Sequence, residues 1–197
     1  MKLTRKKNLK LNKTKKLKTF TKEDYNSGDG FLTSVWGPPM WHFLHTMSFN
    51  YPIEPTEKDK KHYKEFILSL RNILPCKYCR INLKNNLKVH PITAEDMKNR
   101  ENFSRYVYEL HETVNKFLGK NSGLTYEEVR DRYENFRARC TIDSPKPKVF
   151  DFKNGVQMEK GCTVPLYGKK SKCVIKIVPQ DEKGKTFQMD ERCVKFR

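Results

Sequence analysis

The sequence predicts a mostly α-helical protein: a four-helix bundle plus a short fifth helix, followed by a small β-like C-terminal extension. Three observations carry this. Between residues 31 and 143, apolar residues recur at spacings of three and four, the signature of helices with one buried face. Pro, Thr and Gly stand at the edges of these stretches, where helices start and stop. From about residue 148 the pattern changes to short β-branched and aromatic runs divided by Gly and Pro.

The first helical stretch, "GPPMWHFLHTMSFNY", opens with Pro38 and Pro39, residues suited to a first helical turn, and carries Met40, Phe43, Leu44 and Met47 on one stripe. "PTEKDKKHYKEFILSLRNIL" has Thr56 as N-cap and buries Tyr63, Phe66, Ile67 and Leu70. Pro75 ends that helix, and the segment from Cys76 to Leu87 starts the next. "NFSRYVYELHETVNKFLGK" places Phe103, Tyr106, Val107, Leu110, Val114 and Phe117 on one side, with Gly119 as C-terminal cap. In "TYEEVRDRYENFRARC" the pair Thr125 and Glu128 forms a capping-box pattern. Short connections favour antiparallel neighbours and hence a bundle.

The chain divides into a basic disordered arm (1–30), a helical domain (31–143) and a cysteine-containing extension (144–197). The net charge is +18, and residues 1–20 carry nine Lys and Arg with no acid. Such a run is a solvated arm able to make weak contacts with polyanions through counterion release. It lacks the interleaved aromatics of a base-stacking platform. No apolar run follows it, as a secretory signal needs, and its Lys-rich, Ser-free composition differs from a transit peptide. No segment approaches the ~20 apolar residues of a transmembrane helix.

Six cysteines are present, at 76, 79, 140, 162, 173 and 193. Without a leader, paired cysteines point to metal binding or redox chemistry more than to a secreted framework. In "NILPCKYCRINL", Cys76 and Cys79 form a Cys-x-x-Cys pair at an expected helix start, where free N–H groups and the positive dipole end stabilise a thiolate. Lys77 and Arg80 add positive charge. Zinc needs two more ligands, yet no second such pair follows, and His42 and His45 lie in a helix before it. A thioredoxin-type site needs a βαβ context, which the charged helix ahead of Cys76 does not supply. An all-α redox site is left, with a zinc-stabilised basic adaptor or nucleic-acid-binding protein as the alternative.

"WGPPMWHFLHTMSFNYP", then "LPCKYCRINL", then "LHETVNKFLGK" resemble the FAD-linked sulfhydryl oxidases of the Erv/ALR family. That pattern is Gly-x-x-x-Trp-x-x-x-His running into Tyr-Pro, a Cys-x-x-Cys, and His-Asn-x-Val-Asn-x-x-Leu-Gly-Lys. The resemblance spans roughly residues 36–137. Three departures stand out: Glu112 replaces the Asn after His111, "GLTYEEV" replaces a Phe-Asp-Cys, and Tyr133 replaces a Trp. The lost cysteine removes the usual partner of Cys140.

The resemblance implies a helical bundle holding FAD among its helices, as a homodimer. It implies cofactor contacts from Gly37, Trp41 and His45 on the first helix, with Tyr51 closing the pocket. His111, Val114 and Asn115 would face the adenosine half, Lys116 and Lys120 the phosphates, and Tyr133 the adenine. Singly, Trp41 is equally well a core aromatic, His45 and His111 buried hydrogen-bonded histidines, and Asn115 a helix bridge. The implied reaction passes electrons from protein dithiols through Cys76–Cys79 to FAD and then O₂, giving H₂O₂. Cys162, Cys173 and Cys193 are read as staples of the extension, with a relay as the alternative. Family members work in the mitochondrial intermembrane space, the secretory pathway and cells infected by large DNA viruses. The absent leader and Lys/Asn-rich composition favour the virion or infected cytoplasm.

Overall fold

The computed structural model describes residues 20–139, 162, 164–166 and 172–179. Its elements are α1 (Lys22–Asn26), α2 (Thr33–Phe49), α3 (Glu57–Ile73), α4 (Lys77–Val89), α5 (Arg100–Phe117), α6 (Tyr126–Glu134), β1 (Ala138–Arg139) and β2 (Val164–Pro165). The helical bundle expected from the apolar periodicity is therefore present. Among the described residues no helix is long and apolar enough to cross a membrane.

Most helix ends follow the local chemistry. Thr56 and Thr125 close capping boxes with Asp59 and Glu128, each pair satisfying two otherwise free N–H groups. Gly119 follows α5 with φ 64°, a left-handed conformation that terminates the helix without a Cβ clash. Helix α2 departs from expectation: it begins at Thr33, so Pro38 and Pro39 lie inside it. The Val35 N–H donates to the Leu32 carbonyl at 3.0 Å, and the Trp36 indole N–H donates to the Phe31 carbonyl at 3.1 Å, anchoring the earlier start. The prolines leave the Ser34 and Val35 carbonyls without their helical donors.

Helices α2, α3, α4 and α5 meet in one core of Leu44, Tyr51, Ile67, Leu70, Leu83, Leu87, Phe103, Tyr106, Val107 and Leu110. Burying each large apolar side chain contributes roughly 1.5–3 kcal/mol. A smaller cluster of Phe49, Tyr126 and Val129 fastens α6 to α2, and the Ser104 and Tyr126 hydroxyls hydrogen-bond at 2.8 Å inside it. Phe117, assigned by periodicity to the buried stripe, is 64% exposed at the last residue of α5.

Residues 20–30, expected as the polar end of the arm, contain a short helix. Thr21 and Asp24 form a capping box that starts α1, and the following residues pair with the chain around Pro75. Residues 1–19 lie outside the described residues, and so does any polyanion contact of the arm. In the extension, Ala138–Arg139 pairs antiparallel with Val164–Pro165, and the Leu166 N–H donates to the Arg137 carbonyl at 2.8 Å. Residues 172–179, expected as a strand, form no ladder among the described residues, because alternation alone supplies no hydrogen-bonding partner. The expected strands at 148–152 and 193–197, with Cys140 and Cys193, also lie outside them. Cys162 is disulfide-bonded, whereas Cys173 is an exposed free thiol rather than a staple.

Candidate redox site

Cys76 and Cys79 are placed by the way α3 gives way to α4. Pro75 cannot extend α3, and Cys76 becomes the N-cap of α4 with extended angles, φ −157° and ψ 122°. One helical turn returns Cys79 over the cap, with a Cα–Cα distance of 5.2 Å, and the two sulfurs form a disulfide. The Cys79 N–H donates to Cys76 Sγ at 3.2 Å. Negative charge on that sulfur is therefore stabilised by a directed donor and by the positive end of α4. Both residues are half-buried. The Arg80 guanidinium donates to the Leu74 carbonyl at 2.6 Å, tying the end of α3 to the start of α4.

A feature that sequence reading missed holds this corner from the other side. Gly30 pairs with Cys76 in an antiparallel bridge. The Phe31 N–H donates to the Pro75 carbonyl at 2.7 Å, and the Lys77 N–H donates to the Asp29 carbonyl at 2.9 Å. The only signal was the glycine of "GDGF", which means little until its partner strand is known.

The second set of residues converges from α2, α5 and α6. Trp41 and His45 are one turn apart on α2. The Trp41 indole stacks on the His111 imidazole at 3.9 Å between ring centroids and 7° between planes. His45 Nε2 lies 3.0 Å from His111 Nδ1, and the Tyr133 ring lies 5.2 Å from that of His45. His45 is only 4% exposed. Burial first, then the nearby His111 and His42, depress its pKa to about 3. Burial likewise depresses His111 to about 4, with Glu112 opposing and Lys120 assisting. Both imidazoles are thus neutral at neutral pH, one donating and the other accepting.

Whether a flavin fits is tested by His45 Nδ1, which is buried and has no hydrogen-bond partner among the described residues. A buried imidazole nitrogen without a partner is costly, and a heteroatom-rich planar ring is a suitable one. Gly37 is half-buried, and a Cβ there would meet nothing within 4 Å, so open space adjoins the helix at that point. The residues fit the expected group.

The remaining expected contacts divide. Asn115 and Val114 are half-buried on α5, with Asn115 Nδ2 donating to Glu112 Oε1 at 2.9 Å. Glu112, the departure from the family pattern, thus orients Asn115. Lys116 and Lys120 are exposed where α5 ends, and the Lys120 N–H donates to the Asn115 carbonyl at 2.8 Å. Tyr51 is 0% exposed, packs against Tyr63 and Phe103, and donates its hydroxyl to the Met97 carbonyl at 2.9 Å. Its aromatic bulk is used in the core. Sequence reasoning weighed His42 only as a metal ligand, yet its Nδ1 lies 3.3 Å from the Tyr133 hydroxyl. Phe49 and Phe136, also missed, pack on the Tyr133 ring at 5.5 and 6.0 Å.

The Erv1/Alr family pattern matches residues 38–134, the stretch from within α2 to the end of α6. A probable FAD-linked sulfhydryl oxidase of Acanthamoeba polyphaga mimivirus is 41% identical over 99 residues, covering 50% of this chain and 68% of that protein. The FAD-linked sulfhydryl oxidase ERV1 of Arabidopsis thaliana is 38% identical over 84 residues, covering 43% of this chain and 42% of that one. A FAD-linked sulfhydryl oxidase of African swine fever virus is 31% identical over 99 residues, covering 50% of this chain and 80% of that protein. With a disulfide capping α4 and the Trp41, His45 and His111 rings gathered between α2 and α5 of the same bundle, this chain belongs to the Erv1/Alr family.

Proposed function

We propose that this chain is an FAD-dependent thiol oxidase that forms disulfides in protein substrates. The observation that carries the reading is the half-buried Cys76–Cys79 disulfide at the N-cap of α4 in an Erv1/Alr chain. Their sulfurs are joined to each other, so neither serves as a thiolate ligand for zinc.

A substrate thiolate attacks Cys76 Sγ, forming a mixed disulfide and leaving the electron pair on Cys79 Sγ. The second substrate thiolate then attacks the substrate sulfur of that mixed disulfide and expels Cys76 as a thiolate. The Cys79 N–H and the α4 dipole stabilise that leaving group. The substrate gains a disulfide and the pair holds two electrons. Bound FAD supplies the acceptor that reoxidises the pair and hands the electrons to O₂, giving H₂O₂.

Trp41, His45, His111 and Tyr133 hold the cofactor's rings in this reading, supported by the unpartnered His45 Nδ1 and the open space at Gly37. Val114, Asn115, Lys116 and Lys120 line its adenosine side, where the two lysines face its phosphates. We also propose a homodimer working in the infected cell or virion, a setting supported by the relatives in mimivirus and African swine fever virus. The test is the visible spectrum of the purified protein before and after dithiothreitol is added in air. A flavin spectrum that bleaches and recovers while oxygen is consumed supports the oxidase; a colourless protein rules it out.

A further inference from the structure

Helices α3 and α4 leave a groove of about 670 Å³ between them. Lys64, Leu68, Arg71 and Asn72 line one wall at spacings that place them on a single face of α3. Ile81, Lys84, Asn85 and Lys88 line the other from a single face of α4. Leu87, Pro91 and Ile92 complete the lining with apolar surface. Four cations line it, and no carboxylate does. This is not a diffuse consequence of the chain's net charge. Helix α3 carries Glu57, Asp59 and Glu65, all outside the groove, and Glu57 and Glu65 pair with Lys60 and Lys61 instead. Among the described residues none of the four groove cations has an ion-pair partner.

The groove opens at the end of the α3–α4 pair that carries the disulfide, on a different face of α4 from Cys79. Ile81 follows Cys79 by two residues, a rise of roughly 3 Å along α4, and Arg71 and Asn72 lie in the last turn of α3 before Pro75. From Ile81 to Lys88 the wall runs for roughly 10 Å, the length of about three extended residues. Exposed apolar groups continue around the disulfide: Tyr78 is 70% and Ile73 63% exposed.

We infer that this groove is the docking site for an acidic, partly apolar segment of the substrate polypeptide that flanks its reactive dithiol. Unpaired cations on the walls match carboxylates, and the apolar floor matches the side chains between them. A polynucleotide is the poorer match: its phosphates would find cations, but the groove lining offers no aromatic face for its bases. The inference rests on the oxidase reading for the dithiol, whereas binding to the groove is measured independently of turnover.

Two peptides carrying the same Cys-Gly-Gly-Cys dithiol, one followed by alternating Glu and Leu and the other by alternating Lys and Leu, provide the test. Equilibrium binding of the alkylated peptides to the full chain is followed by fluorescence anisotropy, and oxidation of the reduced peptides by oxygen uptake. The acidic peptide is expected to bind, and to show a KM, about tenfold better than the basic one. Lys84→Glu/Lys88→Glu is expected to reverse that preference, and Lys84→Gln/Lys88→Gln to abolish it. Equal binding of both peptides, or a preference unchanged in both variants, overturns the proposal. Displacement of the acidic peptide by a tighter-binding single-stranded oligonucleotide overturns it in favour of a nucleic-acid site. Failure of the unaltered chain to oxidise dithiothreitol counts against the oxidase reading instead, and leaves the anisotropy result to decide the groove.

Discussion

A Cβ on Gly30 would stand 2.8 Å from the Cα of Cys76, in a backbone conformation with φ 112° that L-residues rarely adopt. The redox corner is therefore closed by a residue that has to be glycine. Gly30→Ala is expected to push the Asp29–Phe31 strand off Pro75 and Cys76, costing roughly 1–3 kcal/mol of stability. Oxygen uptake with dithiothreitol should fall as the N-cap geometry of α4 loosens. A variant with unchanged melting temperature and unchanged turnover would show that the bridge positions nothing.

The cysteines are separable by their places on α4. Cys79→Ser keeps Cys76 at the cap, where the residue 79 N–H still reaches its sulfur. The variant is expected to retain its flavin absorbance while losing turnover by at least about a hundredfold, since the electron pair has no second sulfur to rest on. Full turnover in this variant contradicts the role given to the pair.

Trp41 is the ring whose face is set by another ring, the His111 imidazole at 3.9 Å. Trp41→Ala removes a half-buried aromatic and is expected to cost about 2 kcal/mol and to shed the flavin during purification. Trp41→Phe, which keeps a flat face, should recover most of the bound flavin. Equal flavin content in all three proteins would mean that Trp41 is a core aromatic only.

The parts legible in the sequence are those whose signal is local. Thr56 with Asp59 and Thr125 with Glu128 announce helix starts within four residues, and Cys76 before an apolar-periodic run announces a redox pair at a helix end. Trp41, His45 and His111 were singled out by the resemblance to the Erv/ALR pattern, and only the fold brings α2 and α5 into register. Long-range pairing left no such trace. Gly30 finds its partner across the whole of α2 and α3, and Tyr51 is met in the core by Met97 and Phe103 from distant chain. Pro38 and Pro39 misled about the start of α2 because the helix begins ahead of them, where the Val35 N–H and the Trp36 indole anchor the first turn on the Leu32 and Phe31 carbonyls.

The His45–His111 contact makes stability depend on pH in a stated direction. Folded His45 and His111 take up protons only near 3 and 4, because burial disfavours the imidazolium, whereas unfolded imidazoles do so near 6.5. Between those values the unfolded chain binds more protons, so folding weakens steadily as pH falls below about 6.5 and gains nothing from these two groups above it. The melting temperature should drop by several degrees between pH 7 and pH 5, on the scale of a few kcal/mol for a domain of this size. His111→Gln preserves a hydrogen-bonding partner for His45 but removes one titrating group and one potential neighbouring positive charge. Its melting temperature should fall less steeply over the same interval, even if it is lower at pH 7. An identical pH slope in the variant would show that other groups, and not this buried pair, govern acid stability.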